Sequence, residues 1–217
     1  MDRVLRTHFL SSRFALPLLR ATGGGLVVEV TDGDFLGYRN NVFYDLAKII
    51  PLRLALGLSA DLTSHGACGV TSVALTPGFL RSEAVLDHFG VTEASWREAI
   101  AQDPYFAESE TPYFVGRAVV ALAADPNVHA KTGRAFSSWQ LAKEYDFSDV
   151  DGRRPDWSTF FDRSIAQILE RGGPQGAEER ALVFARYLQH GLDPRRLDFL
   201  RQLAASLGLP EPHPYAN

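Results

Sequence analysis

Disulfides, metal clusters and membrane anchors find little to work with in this sequence. Its single cysteine, Cys68, has no partner for an internal bridge and no Cys-x-x-Cys or Cys/His neighbour. It reads as a small packing residue near a turn rather than a reactive thiol. The six histidines show no ligand spacing, and no metal site is expected. Asp149-Val150-Asp151-Gly152 resembles the opening of a calcium loop but lacks the further spaced acids and the closing glutamate, which leaves a turn. Lysine is scarce, at positions 48, 131 and 143, and the net charge of −4 comes with acids and bases mixed throughout. With no basic stripe to neutralise a phosphate backbone, nucleic acid is not expected as a partner. Apolar runs are too short or too interrupted to span a bilayer. The N-terminus, with Asp2, Arg3 and Arg6 before a short apolar stretch, lacks the core and cleavage site of a signal peptide. The expectation is a cytoplasmic protein without membrane association.

What is present suffices for one full core, or one core plus an appendage: 217 residues, 46% of them hydrophobic. Residues 3–20 carry apolar side chains at helical spacing. Thr22-Gly23-Gly24-Gly25 then breaks the chain before the β-branched run Leu26–Val30, which predicts a buried strand. A dinucleotide-binding glycine loop follows a strand and opens a helix, whereas these glycines precede the strand, so they form a turn. A long helix is expected over about 40–62, kinked near Pro51, which has no N–H for the carbonyl of Ala47. Val70–Leu75 predicts a second strand, ending at Thr76-Pro77-Gly78. A helix over 112–124 and a short strand over 134–139 follow. This alternation predicts an α/β domain with a parallel sheet. After Gly152 the pattern becomes helical, over about 156–170, 177–190 and 194–207, with Phe160, Phe161, Ile165, Ile168 and Leu169 as the clearest apolar set, before a proline-rich end from Leu209. Two regions are expected, 1–152 and a helical extension over 153–217.

Within the long helix, VFYDLAK places Tyr44 and Lys48 four residues apart, on one helical face. Seven tyrosines and three lysines in 217 positions make the chance occurrence of Tyr-x-x-x-Lys roughly 0.1. The pair follows a strand and loop, and precedes a strand ending in Pro-Gly with a hydroxyl at Ser82. In this setting residues 3–152 resemble the catalytic half of a short-chain dehydrogenase/reductase, through GLVVEVTDGD, NVFYDLAK, VALTPGFLRSEAVLDHFGVTE and FSSWQLAKEYDFSDVDG. The resemblance implies a partial Rossmann-like parallel sheet holding only the later strands, flanked by helices. It implies Tyr44 as general acid/base, and Lys48 as the residue that lowers the phenol's pKa and holds the nicotinamide ribose. Pro77, Gly78 and Ser82 would lie against the nicotinamide. Phe79, Phe89 and Trp96, together with Tyr105 and Phe106, fall where the family keeps its substrate loop. They could line a pocket or could simply pack that loop onto the domain.

The resemblance has two departures. The family's substrate-orienting serine is replaced by Thr31, if counted back from the tyrosine, or by Asp32, if aligned on the strand end. A threonine can donate to a substrate oxygen, whereas an ionised aspartate would repel a developing oxyanion. The family's helical asparagine falls near Val4, which has no polar group. A larger absence is the family's N-terminal half with its glycine-rich turn, so the chain is expected to represent a truncated form that by itself holds a dinucleotide poorly and can be inactive. The implied function is NAD(P)-dependent hydride transfer with a small carbonyl/alcohol substrate, cofactor preference open, in a homo-oligomer. The alternative is a non-catalytic remnant serving protein association through its apolar helices and open sheet edge.

Overall fold

The computed structural model describes residues 2–35, 41–66, 69–170, 176–181, 184 and 197–210. Cys68, most of the helix expected over 177–190 and most of the proline-rich end lie outside the described residues, as do the side chains of Val4, Phe161, Ile165, Ile168 and Leu169. The chain divides into two compact units, residues 1–34 with 47–157, and residues 35–46 with 158–217.

The larger unit is organised by three strands: β1 (Gly25–Val30), β2 (Val70–Thr76) and β3 (Ala135–Ser137). They pair in the order β1-β2-β3, both pairings parallel, with Gly25 opposite Val70 and Ala74 opposite Ala135. The fold class is α/β with a partial Rossmann-like parallel sheet. All seven residues of β2 are buried, as a central strand covered on both faces requires. Its side chains alternate between faces. Val73 and Leu75 pack with Phe136 of β3 against Ala118, Leu122 and Leu141; these last belong to α4 (Pro112–Ala124) and α5 (Ser138–Tyr145). Ala74 points the other way, against Leu52 and Ala55 of α2 (Val42–Ser64).

Helix α1 (Asp2–Ala21) precedes β1. The buried carboxylate of Glu29 in β1 meets the His8 imidazole of α1 and accepts from the Ser12 hydroxyl at 3.3 Å. The start of the sheet is unusually tight. Gly69 has φ +117°, and a Cβ there would stand 2.5 Å from the carbonyl oxygen of Gly23, while one on Gly24 would stand 2.9 Å from that of Gly69. The glycine run is therefore a turn, as its order in the chain indicates, and two strand entrances share it.

Between β2 and α4 lie a seven-residue helix, α3 (Glu83–Phe89), and two 3₁₀ turns, Trp96–Ala101 and Pro104–Glu108. The strand expected over 134–139 ends at Ser137, because the Ser137 side chain accepts from the Gln140 N–H and starts α5 there. The second unit is helical where described: the first residues of α2, most of α6 (Trp157–Glu170), residues 176–181, and α7 (Leu197–Ser206), which buries Leu200, Leu203 and Ala204. Among the described residues no helix is long and apolar enough to cross a membrane.

Leu75 sits at the centre of this packing with no exposed surface. Leu75→Ala is expected to cost about 2–5 kcal/mol, read as a lower denaturation midpoint with an unchanged slope.

Candidate active site

In open parallel sheets ligands are bound beyond the carboxyl ends of the strands, and here those ends are tied together by hydrogen bonds. The Thr31 N–H donates to the Leu75 carbonyl at 2.9 Å, carrying the β1–β2 pairing one residue past the strand. The Gly33 N–H donates to the Thr76 hydroxyl oxygen at 2.7 Å, and that hydroxyl donates to the Pro77 carbonyl at 2.9 Å. Thr31, 5% exposed, gives its own hydroxyl proton to the carbonyl of Lys48 at 2.5 Å. That carbonyl lies next to the Ala47 carbonyl, which Pro51 leaves without its helical donor. Asp32 is half-buried.

Helix α2 begins at Asn41, whose Oδ1 accepts from the N–H groups of Phe43 at 3.2 Å and Tyr44 at 3.1 Å, a side-chain cap that fixes the first turn. Tyr44 and Lys48 follow on this helix four residues apart, each half-buried.

The second strand end leads into Pro77–Gly78–Phe79. The Gly78 N–H donates at 3.0 Å to Oε2 of Glu110. The Ser138 hydroxyl donates to the same oxygen at 2.6 Å. Backbone bonds between Glu110 N–H and the Phe79 carbonyl (2.9 Å) and between Arg81 N–H and the Glu110 carbonyl (2.8 Å) lay this residue beside the turn. Ser82, expected to lie against a cofactor, serves as the N-cap of α3, its oxygen accepting from the Val85 N–H at 3.4 Å.

Of the five aromatics in the expected substrate loop, Trp96 and Phe106 are buried in one cluster with Val91 and Ala99, and Phe79 and Phe89 pack against it half-buried. Phe79 and Phe106 meet edge to face, ring centres 5.0 Å apart. Phe79 and Phe89 also line a surface hollow with Val85, His88 and Gln102. Tyr105 stands apart from that cluster, its ring 6.0 Å from that of Trp157. Trp96 is held by three guanidinium groups, those of Arg81, Arg97 and Arg153, at 4.4, 4.6 and 4.7 Å from its ring centre.

Two of these guanidiniums, those of Arg81 and Arg153, belong to a clasp. The Arg81 side chain has no exposure and pairs with Glu93 at 3.0 Å and Asp151 at 2.9 Å, donating also to the Ser109 carbonyl. Asp149 accepts from both the N–H and the hydroxyl of Thr111, and Arg153 donates to the carbonyls of Ser109 and Ala107. The Asp149–Gly152 motif is thus a turn whose carboxylates receive protein donors and lock the 77–111 segment onto the domain. Burial pushes the Arg153 guanidinium down, although Asp151 opposes it. The Asp151 carboxyl lies below its ordinary range; its desolvation is outweighed by the bonds from Arg153 and Arg81.

Glu110 is the residue that motif reading missed. It has no exposed surface, and burial, the dominant effect, raises its pKa to about 7 against the pull of Ser138 and Gly78. Its local signal, Ser-Glu-Thr-Pro, announces the Thr111 cap and Pro112 of α4 but carries no sign that the carboxyl is interior.

No family model matches the chain. Sequence comparison is more informative. The chain is 34% identical over 156 residues, 69% of its length, to Dehydrogenase/reductase SDR family member 1 of Homo sapiens. It is 35% identical over 151 residues to the Mus musculus protein of the same name. It covers 47% of each, so it spans about half the length of the curated relatives it matches. Among solved structures, it is similar to a Beutenbergia cavernae protein assigned as an NAD(P)-dependent gluconate 5-dehydrogenase, with NADP bound at low occupancy (TM-score 0.48, 23% identity, 64% of this chain and 53% of that one). It is similar also to the TT0495 protein of Thermus thermophilus (TM-score 0.46, 23% identity, 62% and 57%). The sequence similarity establishes the relationship: over the matched residues the chain is related to the short-chain dehydrogenase/reductase family.

A carboxyl raised in the folded state favours folding while protonated. The contribution of Glu110 is complete below its unfolded pKa near 4.5 and is lost as pH rises to about 7. Stability measured by urea unfolding is therefore expected to fall by up to about 3 kcal/mol over this window from this group. Glu110→Gln is expected to flatten that decline; an undiminished slope in the variant would assign it to other groups.

Proposed function

We propose that this chain carries the catalytic portion of an NAD(P)-dependent oxidoreductase of the short-chain dehydrogenase/reductase type, acting on a small molecule with a carbonyl/alcohol pair. The observation that carries the reading is the Tyr44/Lys48 pair at i, i+4 on the capped helix α2, in a chain related by sequence to that family.

A free phenol, with a pKa near 10, is a weak base at neutral pH. A cation one helical turn away favours its ionised form, and this is the role of Lys48. Tyr44 exchanges a proton with the substrate oxygen. The Lys48 ammonium also suits the hydroxyls of a cofactor ribose. When bound, a nicotinamide supplies or accepts the hydride.

The residues around the second strand end fit such a group by their chemistry. Ser82 keeps a hydroxyl hydrogen to give while its oxygen caps α3, and Pro77–Gly78 offers a turn without bulk at the strand end. Thr31 orients the substrate oxygen by turning its hydroxyl from the Lys48 carbonyl, and otherwise steadies the turn that bears the ammonium. Asp32 is the less suitable of the two, since a carboxylate faces an oxyanion unfavourably. Phe79 and Phe89 border the substrate, and Trp96 supports them from the interior.

Titration of the 217-residue chain with NADPH and NADH, followed by energy transfer from its three tryptophans, is expected to show weak binding, because nothing in the sequence resembles the family's glycine-rich turn; saturable micromolar binding would mean that the chain rebuilds a dinucleotide site. With a carbonyl substrate found by screening, Tyr44→Phe is expected to lower kcat/KM by about 10²- to 10⁴-fold.

A second reading, association with another copy of the chain, is favoured by one feature. Phe14 and Leu18 of α1 are each 69% exposed, and a groove between α1 and α2 is lined by Leu5, Phe9, Ile50 and Leu54 among others. An apolar surface of this kind marks an interface. Phe14→Glu is expected to shift sedimentation toward a smaller species with thermal stability unchanged at low concentration.

A further inference from the structure

We propose that Asn41 is a positioning residue for Tyr44: by capping α2 it holds the turn of helix that keeps the phenol a fixed step from Lys48. The inference rests on the function proposed above in taking that pair as the acid/base machinery; the dependence of the turn on Asn41 does not require it.

The pair stands on the least supported part of its helix. Tyr44 is the third residue of α2 and Lys48 the seventh, so Tyr44 lies in the first turn, where backbone N–H groups have no carbonyl of their own helix to reach. Packing does little to hold these residues. None of positions 42–50 is buried, Val42 and Phe43 being 53% and 70% exposed, and the first buried residues of the helix are Pro51 and Leu52. The far side is weak too, because Pro51 has no N–H for the Ala47 carbonyl. The nine residues from Val42 to Ile50 are too few to stay helical on propensity alone, since so short a helix does not repay its nucleation.

Asn41 supplies what packing does not. Its Oδ1 accepts from the N–H groups of Phe43 at 3.2 Å and Tyr44 at 3.1 Å, and its carbonyl accepts from the Asp45 N–H at 2.8 Å. Three successive amides of the first turn thus end on one residue, and one of them is the amide of Tyr44 itself. The Tyr44 backbone is thereby held helical, and only then does its side chain share a face with that of Lys48. Without the cap the turn unwinds from its N-terminal end, the phenol leaves that face, and the ammonium no longer favours its ionised form. Asn41 is itself exposed, so its side chain can be replaced without opening a cavity. Serine, a neutral cap of similar strength, can take its place.

The test compares the full chain with Asn41→Ala, Asn41→Ser and Lys48→Met by NMR, each labelled with ¹⁵N and with ¹³C at the tyrosine Cζ, the Tyr44 signal being assigned by its loss in Tyr44→Phe. Exchange of the Lys48 N–H, which in an α-helix donates to the Tyr44 carbonyl, is expected to quicken about 2- to 30-fold in Asn41→Ala and to return in Asn41→Ser. The Val73 N–H in the buried strand β2 is expected to exchange at the same rate in all of them. The ionisation midpoint of the Tyr44 phenol is expected to rise in Asn41→Ala and to recover in Asn41→Ser. Adding Asn41→Ala to Lys48→Met is expected to leave it in place, since the cation is then gone. An unaltered Lys48 exchange rate in Asn41→Ala, no recovery in Asn41→Ser, or equal quickening at Val73 overturns the proposal. A midpoint that rises as much in the Lys48→Met background overturns the link through Lys48. If Lys48→Met alone leaves the midpoint unmoved, the acid/base role proposed above falls, and the exchange rates alone decide whether Asn41 holds the turn.

Discussion

The constraint on which the larger unit depends is that β2 has no water on either side. Seven consecutive buried residues oblige the strand to spend every backbone group on a neighbour and every side chain on a helix. Its odd and even positions therefore recruit different partners: α4 and α5 for Val73 and Leu75, α2 for Ala74. Three of the seven side chains carry hydroxyls, and one of them shows what a polar group does there. Thr76 sits where the strand leaves the core, receives the Gly33 N–H and passes its proton to Pro77, joining the loops that leave both strands. The same burial that makes β2 a core element thus makes its end a rigid corner.

Charge holds the long connection that follows. A guanidinium without solvent is expensive unless its donors are met, and Arg81 meets that demand with Glu93, Asp151 and the Ser109 carbonyl while its face rests on Trp96. Each partner comes from a different stretch of chain, so one side chain ties the start of the connection, its 3₁₀ turns and the turn after α5. Asp149 does the same for the entrance of α4 through Thr111. The aromatic cluster of Phe79, Phe89, Trp96 and Phe106 then fills the space these ties enclose.

Much of this was legible in the sequence, for identifiable reasons. The β-branched runs Leu26–Val30 and Val70–Leu75 are strands because their apolar density has no helical period, and the order of glycines and strand marks Gly23–Gly25 as a turn. The Tyr44/Lys48 spacing needs only helix geometry to be read. What escaped depends on partners distant along the chain. Helix α3 has seven residues, too few to show a period, and is held by its caps. Glu110 reads as a loop acid because Ser138, 28 residues away, and Asp149, farther on, are brought beside it only by folding. Asp149 and Asp151 were recognised as a turn, but the Thr111 and Arg81 contacts that give the turn its purpose lie 38 and 70 residues away.

The two rims of the sheet differ in how much variation they can absorb. At the entrance, Gly24 and Gly69 leave no room for even one carbon atom against the opposing backbone, and a backbone wall cannot rotate aside as a side chain can. At the exit, the contacts are made by hydroxyls, carboxyls and rings, each with near-isosteres that preserve part of the bonding. A side chain at Gly24 or Gly69 would have to displace backbone, whereas a change at the exit rim meets side chains that can turn, so the entrance rim is the less forgiving of the two.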